Sequence, residues 1–268
     1  MTTTTTSTQI APPTATEMVV LLTGASRGLG LALARLLAGS GASLVLTTRD
    51  GSALETAAAA LRGQADVLAL AGDVADPAHV ERLVAAAIGR FGRIDVLVNN
   101  ASTVGPSPMP ALEEYPLGDL ERVFRVNVSA PLHLAQRVLP QMRARGSGLV
   151  LNVSSDAGVN AYPGWGGYGA SKAALEHLSR TLASELAESG VRVYVVDPGD
   201  MNTQMHREAE PGMDLSHLPG PEAMAPALLS LIERETAPFG RFEAQALLTQ
   251  AVGASRVSPP PTRDEEAA

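Results

Sequence analysis

Three side chains that can move or hold a proton lie close together in the sequence: Ser155, Tyr168 and Lys172. If a helix begins near Tyr168, then Tyr168 and Lys172 are one turn apart and stack on the same helical face. An ammonium beside a phenol favours the phenolate, so we expect Lys172 to lower the pKa of Tyr168 from about 10 toward the working pH. A phenol tuned in this way can donate or accept a proton at a carbonyl or alcohol oxygen.

The residues around this pair predict a loop that leads into a helix. Four glycines flank Trp165 and allow a backbone or a substrate to approach closely. Apolar residues then recur at helical spacing from Ala173 to Leu186, which predicts a helix over residues 168–188.

A glycine-rich turn near the start of the chain predicts a dinucleotide site. Residues 18–22 are an apolar run, and the next residues are Thr23-Gly24-Ala25-Ser26-Arg27-Gly28-Leu29-Gly30, followed by leucines at helical spacing. In such a strand–turn–helix unit, Gly24 allows the tight turn, Gly28 lets the backbone approach a pyrophosphate, and Gly30 permits close helix–strand packing. The spacing is G-x-x-x-G-x-G, which differs from the standard G-x-G-x-x-G fingerprint.

The residues after the second predicted strand, 43–48, bear on the choice of cofactor. A site for NAD usually carries an acidic group here for the ribose 2′-hydroxyl. This chain has Thr48 in that place, followed by Arg49, and Arg27 lies in the first turn. Two guanidiniums can bind a 2′-phosphate. The charges favour NADP (NADPH), with NAD as the alternative, because a shift of one residue in register would place Asp50 near the ribose.

Polar residues also follow the next two predicted strands, 66–71 and 93–98. Asp73 can accept from an adenine amino group or can cap the helix that begins near Pro77. Asn99 and Asn100 can hold the strand backbone beside a cofactor or can tie a turn.

The remaining patterns predict alternating helices and strands, which indicates an α/β fold with a parallel sheet. The predicted helices are 54–61, 77–90, 117–142 and 222–233, and the remaining strands are 148–153, 191–196 and 242–248. Within the helix 117–142, Pro131 lacks the N–H that would bond the carbonyl of Asn127, so we expect a kink and a free carbonyl there. That carbonyl can hold a water. Residues 201–221 are predicted to be irregular and to form a mobile lid.

Composition narrows the classes of function. The formal net charge of −8 argues against nucleic acid and anionic membranes as partners. There is no cysteine, and no apolar run reaches the ~18 residues of a membrane span. No cluster of histidines and carboxylates suggests a metal. We expect a cytoplasmic protein with disordered tails at residues 1–16 and 253–268 around one domain, 17–252.

The combination of motifs resembles the short-chain dehydrogenase/reductase family, in its ordinary branch of about 250 residues. The resemblance rests on seven features in family order: the Thr23-to-Gly30 turn, Asp73-Val74, Asn99-Asn100-Ala101, Asn127, Ser155, Tyr168-x-x-x-Lys172 and Pro198-Gly199-x-x-x-Thr203. It implies a single-domain Rossmann fold: a doubly wound parallel sheet of about seven strands with helices on both faces. Ser102 and Asp197 depart from the residues that the family usually has at these positions.

The resemblance also implies roles for individual residues. Tyr168 would be the acid/base and Lys172 would hold the nicotinamide ribose; Asn127 would support a water that leads protons to Lys172. Ser155, rather than the competing Ser154, would bind the substrate oxygen, because it lies thirteen residues before the tyrosine. The predicted cofactor-binding residues are Thr23, Gly24, Ser26, Arg27, Gly28, Leu29, Gly30, Arg49, Asp73, Val74, Asn100, Ala101, Ser102, Tyr168, Lys172, Pro198, Gly199, Met201 and Thr203.

The expected function is therefore that of an NADP(H)-dependent carbonyl reductase or alcohol dehydrogenase that assembles as a homodimer or homotetramer. Ser155, Tyr162, Trp165, Met205 and His206 are expected to line the pocket for an apolar or aromatic small-molecule substrate. Two alternatives remain: a non-catalytic NADP(H)-binding regulator, which the intact Ser155, Tyr168 and Lys172 disfavour, and an NAD-dependent alcohol dehydrogenase. The related epimerases need a larger C-terminal domain than this chain has.

Overall fold

The apolar runs of the sequence form parallel strands in the computed structural model, which describes residues 18–254. The strands are β1 (Val19–Thr23), β2 (Ser43–Thr47), β3 (Val67–Ala69), β4 (Val96–Asn99), β5 (Gly148–Val153), β6 (Val191–Asp197) and β7 (Phe239–Glu243). They pair side by side in the order β3-β2-β1-β4-β5-β6-β7, and every pair is parallel. The order reverses between β1 and β4, which is the point where open α/β sheets bind ligands.

Helices cover both faces of the sheet. They are α1 (Gly28–Gly39), α2 (Gly51–Leu61), α3 (Pro77–Phe91), α4 (Leu117–Phe124), α5 (Ala130–Arg145), α6 (Gly166–Glu185), α7 (Gln204–Ala209), α8 (Pro221–Arg234) and α9 (Ala244–Ala254). One apolar core joins the sheet to α1, α2 and α8, and a second joins it to α3 and α5. The predicted doubly wound Rossmann fold is confirmed.

The end of the domain differs from the prediction of a strand over residues 242–248. β7 comes earlier, and Phe242 pairs with Val196 of β6. The residues from Ala244 onward form α9, and Leu247 and Leu248 pack on the core that contains α1 and α8. This stretch has the apolar residues of a strand but lacks β-branched residues before Thr249, so its residue types favour a helix over a strand.

Two further segments contain elements that the sequence did not predict. The segment expected to be irregular contains α7, which begins after Thr203 because the Thr203 side chain accepts a hydrogen bond from His206 N at 3.3 Å. The long helix predicted over 117–142 is divided into α4, a π-helical turn (Arg125–Ser129) and α5. The missing N–H of Pro131 removes an α-helical bond here, and such a widened turn is a common response.

The expected tails fall almost entirely outside the described residues. Residues 1–16 and 255–268 lie outside them, and residues 253 and 254 end α9. Among the described residues, no helix combines the length and the hydrophobicity needed to cross a membrane.

Candidate active site

A cavity of about 410 Å³ opens at the carboxyl ends of the strands. The predicted site residues all line it except four: Thr23, Gly30, Asn127 and Tyr162. The topology therefore gathers residues from both halves of the sheet at the place where the strand order reverses.

Tyr168 and Lys172 form the buried centre of this cavity. Both lie on α6, which begins two residues before Tyr168, and their exposed fractions are 7% and 2%. The Lys172 Nζ lies 5.3 Å from the centre of the Tyr168 ring and donates a hydrogen bond to the Val153 carbonyl at 2.8 Å. The ring of Trp165 stands edge-on to that of Tyr168, with the ring centres 5.8 Å apart.

The pKa of Tyr168 contradicts the expectation from the sequence. Burial raises this pKa above the usual value for tyrosine, the charges of Asp197 and Asp156 raise it further, and hydrogen bonds with Ser155 and Ser102 oppose the shift only in part. Burial also lowers the pKa of Lys172 to about 8. The phenol is consequently neutral at physiological pH, because loss of solvent on burial disfavours the charged phenolate.

Ser155 and Ser154 follow β5 but have different surroundings. The Ser155 Oγ accepts a hydrogen bond from Ala157 N at 3.2 Å and donates one to Asp156 Oδ1 at 3.1 Å. It thus caps a short 3-10 helix (Asp156–Gly158). The Ser154 hydroxyl is buried and donates to Glu176 Oε1 at 2.7 Å. Both serines line the cavity, but the Ser154 hydroxyl is engaged by Glu176, whereas Ser155 lies next to Tyr168.

The side chain of Asn127 is fully buried and ties three segments together. Its Oδ1 accepts from Thr103 N at 2.9 Å and from Ser102 Oγ at 3.1 Å, and its Nδ2 donates to the Thr103 carbonyl and to Ser171 Oγ, both at 2.9 Å. Asn127 therefore fixes the loop after β4 against α6 from behind the cavity wall.

The glycine-rich turn is shaped for a close approach. Gly24 and Gly28 have φ values of 67° and 56°, a left-handed conformation that favours glycine. A Cβ on Gly30 would lie 2.3 Å from the Gly24 carbonyl oxygen, so only glycine fits there. A Cβ on Gly28 would have only a Thr203 methyl group nearby, at 3.9 Å, so the turn leaves open space beside it.

Thr23 and Asn100 support this turn from the adjoining strand. The Asn100 Nδ2 donates to the carbonyls of Thr23 and Gly24 at 2.9 and 3.1 Å. The Thr23 Oγ1 accepts from the backbone N–H groups of Asn100 and Ala101, both at 3.0 Å. The Asn100 side chain thus ties the end of β4 to the glycine-rich turn, and Asn100 also lines the cavity.

The outer end of the cavity has the charges and the apolar wall that a dinucleotide needs. Arg27 and Arg49 are exposed, line the cavity and form no ion pair within residues 18–254. Asp50 caps α2, where its Oδ1 accepts from Ala53 N at 3.0 Å, and it does not line the cavity. An apolar cluster of Val74, Val126 and Ala130 lies beside Ala101.

The sequence allows Asp73 either to contact an adenine or to cap α3, and the structure excludes the second role. Asp76, rather than Asp73, caps α3 by accepting from Ala78 N at 2.9 Å. Asp73 accepts from Ala75 N at 2.9 Å and lines the cavity. The described residues around this cavity fit a nicotinamide dinucleotide in shape, in charge and in apolar surface.

The inner end of the cavity is mostly apolar. Val104, Ala157, Tyr168 and Ala209 form a buried cluster with the partly buried Met109, Trp165 and Met205 packed on it. His206 stands edge-on to Trp165, with ring centres 6.4 Å apart, and its Nε2 lies 3.3 Å from Glu210 Oε2. Tyr162 lies outside the lining, and its hydroxyl donates to Asp156 Oδ2 at 2.6 Å.

Comparison with known proteins identifies the family. Residues 18–214 match the short chain dehydrogenase family, which is well over half of the chain. The chain belongs to the short-chain dehydrogenase/reductase family. A relative from Xanthobacter autotrophicus, 2-(R)-hydroxypropyl-CoM dehydrogenase, is 39% identical over 189 residues, covering 70% of this chain and 76% of that protein.

Solved structures of other short-chain dehydrogenases/reductases share the fold. A metagenomic short-chain oxidoreductase in complex with NADP matches with a TM-score of 0.73 and 29% identity over 86% of this chain and 97% of that one. NAD+-bound xylitol dehydrogenase matches with a TM-score of 0.75 and 26% identity, over 85% of this chain and 97% of that one. The protein is accordingly an oxidoreductase of alcohols and ketones with a fold that binds nicotinamide cofactors.

Sequence reasoning did not assign several residues that line the site of this short-chain dehydrogenase/reductase. Arg122 and Val126 are four residues apart on one helical face, and that spacing together with the adjoining Asn127 was an available signal. Thr103 and Val104 directly follow the predicted Ser102. No pattern in the sequence indicates that the Asp156 carboxylate accepts a hydrogen bond from Ser155. Among the described residues, no three metal-binding side chains lie close enough to hold a metal ion.

Proposed function

We propose that this short-chain dehydrogenase/reductase is an NADP(H)-dependent carbonyl reductase that uses Tyr168 as its acid/base. The observation that carries the proposal is the buried, neutral phenol of Tyr168 between the Ser155 hydroxyl and the Lys172 amine at the inner end of the cavity. This phenol holds its proton at neutral pH, so the resting enzyme has a proton to donate to the oxygen when a ketone is reduced.

NADPH, when bound, supplies the hydride that reduces the carbonyl carbon. Tyr168 donates its hydroxyl proton to the substrate oxygen, and the Ser155 hydroxyl donates a hydrogen bond to the same oxygen and stabilises its developing charge. Lys172, protonated below about pH 8, then stabilises the phenolate that Tyr168 becomes. Asn127 holds the loop after β4 against α6. Its backbone carbonyl has no α-helical N–H partner, because residue 131 is proline, and this carbonyl is proposed to bind a water. Tyr168 and Lys172 would recover their proton from that water.

The preference for NADP rests on charge. Arg27 and Arg49 would hold the 2′-phosphate, since both line the outer end of the cavity and have no ion-pair partner within residues 18–254. The carboxylate that would favour NAD, Asp50, is occupied in capping α2. An NAD-dependent alcohol dehydrogenase remains the alternative, and the ratio of rates with the two cofactors decides between them.

The substrate is proposed to be an apolar or aromatic ketone. Trp165, Met205 and Ala209 present apolar surface beside Tyr168, whereas the polar groups there are concentrated at Ser155 and His206. Residues 200–221, which include α7, are proposed to act as a lid over this end. We also propose a cytoplasmic homodimer or homotetramer formed through the long helices that contain Asn127 and Lys172, which light scattering would test.

The decisive experiment measures NADPH oxidation with a panel of apolar ketones for the wild type, Tyr168→Phe and Tyr162→Phe. Tyr162 is the matched control, because it is a tyrosine of the same neighbourhood that lies outside the cavity lining. We expect Tyr168→Phe to lose at least ~100-fold in kcat, the lower range for general acid catalysis, and Tyr162→Phe to stay near the wild type.

A second readout shows whether a loss of turnover is a loss of chemistry. Trp165 is the only tryptophan in the chain and lines the cavity, so its fluorescence reports NADPH binding directly. Unchanged quenching in Tyr168→Phe would place the defect in the proton transfer. Equal turnover by Tyr168→Phe and the wild type would refute the mechanism, and tight NADPH binding without turnover on any ketone would favour a regulatory protein.

A further inference from the structure

A buried carboxylate that the proposed reaction does not use lies directly behind the active site. Glu176 follows Lys172 by one turn of α6, and only 2% of it is exposed. Burial of an unpaired carboxylate is costly, so a glutamate in this position needs partners.

The partners of Glu176 come from two other elements. The Ser154 hydroxyl, at the end of β5, donates to Glu176 Oε1 at 2.7 Å. The Arg241 Nε, on β7, donates to both carboxylate oxygens at 3.2 and 3.1 Å. Arg180 Nη1 lies 3.9 Å away and is half exposed. Two donors therefore fix the carboxylate in one orientation, and both are held by strands of the sheet.

Arg241 extends the cluster to a second carboxylate at the cavity. Its Nη2 lies 3.8 Å from Asp197 Oδ2, and its Nη1 lies 3.5 Å from the exposed Glu243. The Asp197 Oδ1 accepts from Gly199 N at 2.9 Å, and Asp197 lines the cavity. Arg241 thus bridges two buried negative charges on the protein side of the active site.

Lys172 and Glu176 pack against the same short helix. A Cβ placed on Gly158 would lie 3.1 Å from Lys172 Cβ and 3.2 Å from Glu176 Oε1. The charged and titratable groups around this position come from four elements: Tyr168, Glu176 and Arg180 on α6, Asp156 on the short 3-10 helix, Asp197 on β6, and Arg241 and Glu243 on β7. Burial removes proton affinity from Lys172, and Glu176 is the first of the two carboxylates that restore part of it.

We propose that Glu176 is a positioning residue of this enzyme: held by Ser154 and Arg241, its carboxylate supplies the buried negative charge that keeps the Lys172 amine protonated. The inference rests on the proposed function and deepens it: residues behind Tyr168 and Lys172 would set the charge of the lysine, and Arg241 would connect β7 to the active site. It also gives a reason for an arginine on a strand that contributes no residue to the cavity.

The chain offers a direct test, since Lys172 is its only lysine. The full-length protein labelled with carbon-13 at the lysine ε position gives one side-chain signal, whose titration is followed by NMR without cofactor or substrate. The wild-type midpoint is expected at about 8. Glu176→Gln keeps the shape and removes the charge, and its midpoint is expected to be lower by about one unit, the effect of one nearby opposite charge.

Two more variants make the outcome unambiguous. Glu243→Gln removes a carboxylate that also contacts Arg241 but is exposed to solvent, so it should leave the midpoint unchanged. If circular dichroism shows that Glu176→Gln does not fold, Glu176→Met removes the same charge without adding a buried amide, and it should lower the midpoint as well.

A midpoint that stays at the wild-type value, or rises, in a folded variant without the Glu176 charge would overturn the proposal. A shift of equal size in Glu243→Gln would overturn it too, because the effect would not belong to the buried carboxylate. The titration involves no turnover, so its result stands apart from the test of Tyr168: either proposal can fail while the other survives.

Discussion

Lys172 Nζ lies 5.3 Å from the centre of the Tyr168 ring and donates to the carbonyl of Val153, the last residue of β5. The amine is therefore held between a phenol on its own helix and a backbone oxygen of the central sheet. Both residues are buried, and burial acts on their pKa values in opposite directions: it raises the pKa of Tyr168 and lowers that of Lys172. Each residue is shifted toward its neutral form.

The depressed pKa of Lys172 predicts that stability rises with pH. The folded protein loses this proton at about pH 8 and the unfolded chain at about 10.5, so between these values the unfolded state binds more protons. From pH 8 to about 9 the free energy of unfolding should rise by up to about 1.4 kcal/mol per pH unit. Nearer pH 10 the tyrosines oppose this rise, because their pKa values are raised in the folded protein and the unfolded chain loses those protons first. The chain has no cysteine and no other lysine, so few other groups titrate below pH 9, where tyrosine still holds its proton.

Lys172→Met provides the control for this pH dependence. The variant lacks the buried charge, so its free energy of unfolding at pH 7 should exceed that of the wild type by roughly 2–3 kcal/mol, and the rise from pH 8 to 9 should disappear. Urea unfolding at several pH values measures both quantities. A wild type whose stability is flat from pH 8 to 9 would contradict the assigned shift.

Gly30→Ala is expected to damage both stability and cofactor binding. The new Cβ would lie 2.3 Å from the Gly24 carbonyl oxygen, a backbone atom that can move away only if the glycine-rich turn is distorted. We expect a loss of about 1–3 kcal/mol in the free energy of unfolding, as for other overpacking substitutions, together with weaker quenching of Trp165 by NADPH.

Gly39→Ala is the matched control on the same helix. A Cβ on Gly39 has no neighbour within 4 Å, so the substitution should be neutral or should stabilise α1 by about 0.5 kcal/mol. Similar losses in Gly30→Ala and Gly39→Ala would mean that the effect comes from helix propensity and not from the turn.

Arg27→Ala and Arg49→Ala should reduce the preference for NADPH. A hydrogen bond to a charged group contributes about 1.5–3 kcal/mol, so each variant should raise the KM for NADPH by roughly 10- to 100-fold and leave the KM for NADH nearly unchanged. Arg35→Ala serves as the control, because Arg35 is an exposed arginine that does not line the cavity. Parallel increases in both KM values would show that these arginines do not read the 2′-phosphate.

Much of the fold could be predicted because local chemistry and topology agree. The apolar runs, the glycine-rich turn and the helical spacing after Tyr168 each indicated the element that the structure contains. The residues from Ala244 onward were harder to assign, because their apolar composition suits a strand or a helix. The lack of β-branched residues favours the helix, and packing of Leu247 and Leu248 against the core stabilises it.

The sequence predicts which residues form the site better than it predicts their pKa values. The spacing of Tyr168 and Lys172 indicated that they would be neighbours, but the sign of the Tyr168 pKa shift depends on how deeply the phenol is buried. Burial is a property of the whole fold. Glu176 escaped notice for the same reason: its partner Arg241 is 65 residues away along the chain, so no local pattern connects them.

Asp95→Ala should destabilise the protein without affecting the site. Asp95 is 4% exposed, accepts a hydrogen bond from Val19 N at 2.9 Å, and lies within 2.6 Å of Arg93 Nη2 and 3.3 Å of Arg145 Nη2. It precedes β4, at the amino end of the sheet, whereas the cavity lies at the carboxyl end. Its removal leaves a partly buried guanidinium and a backbone N–H without their acceptor, so we expect a loss of about 3–5 kcal/mol.

Asp66→Ala is the control for this loss of stability. It breaks an ion pair with Arg90 in which both side chains are about half exposed. Exposed pairs contribute about 0–1 kcal/mol, so urea unfolding should separate the two variants clearly. Folded Asp95→Ala should keep its affinity for NADPH, measured by Trp165 fluorescence, because no residue of this cluster lines the cavity. Equal stability of the two variants would mean that the Asp95 cluster contributes no more than an exposed pair.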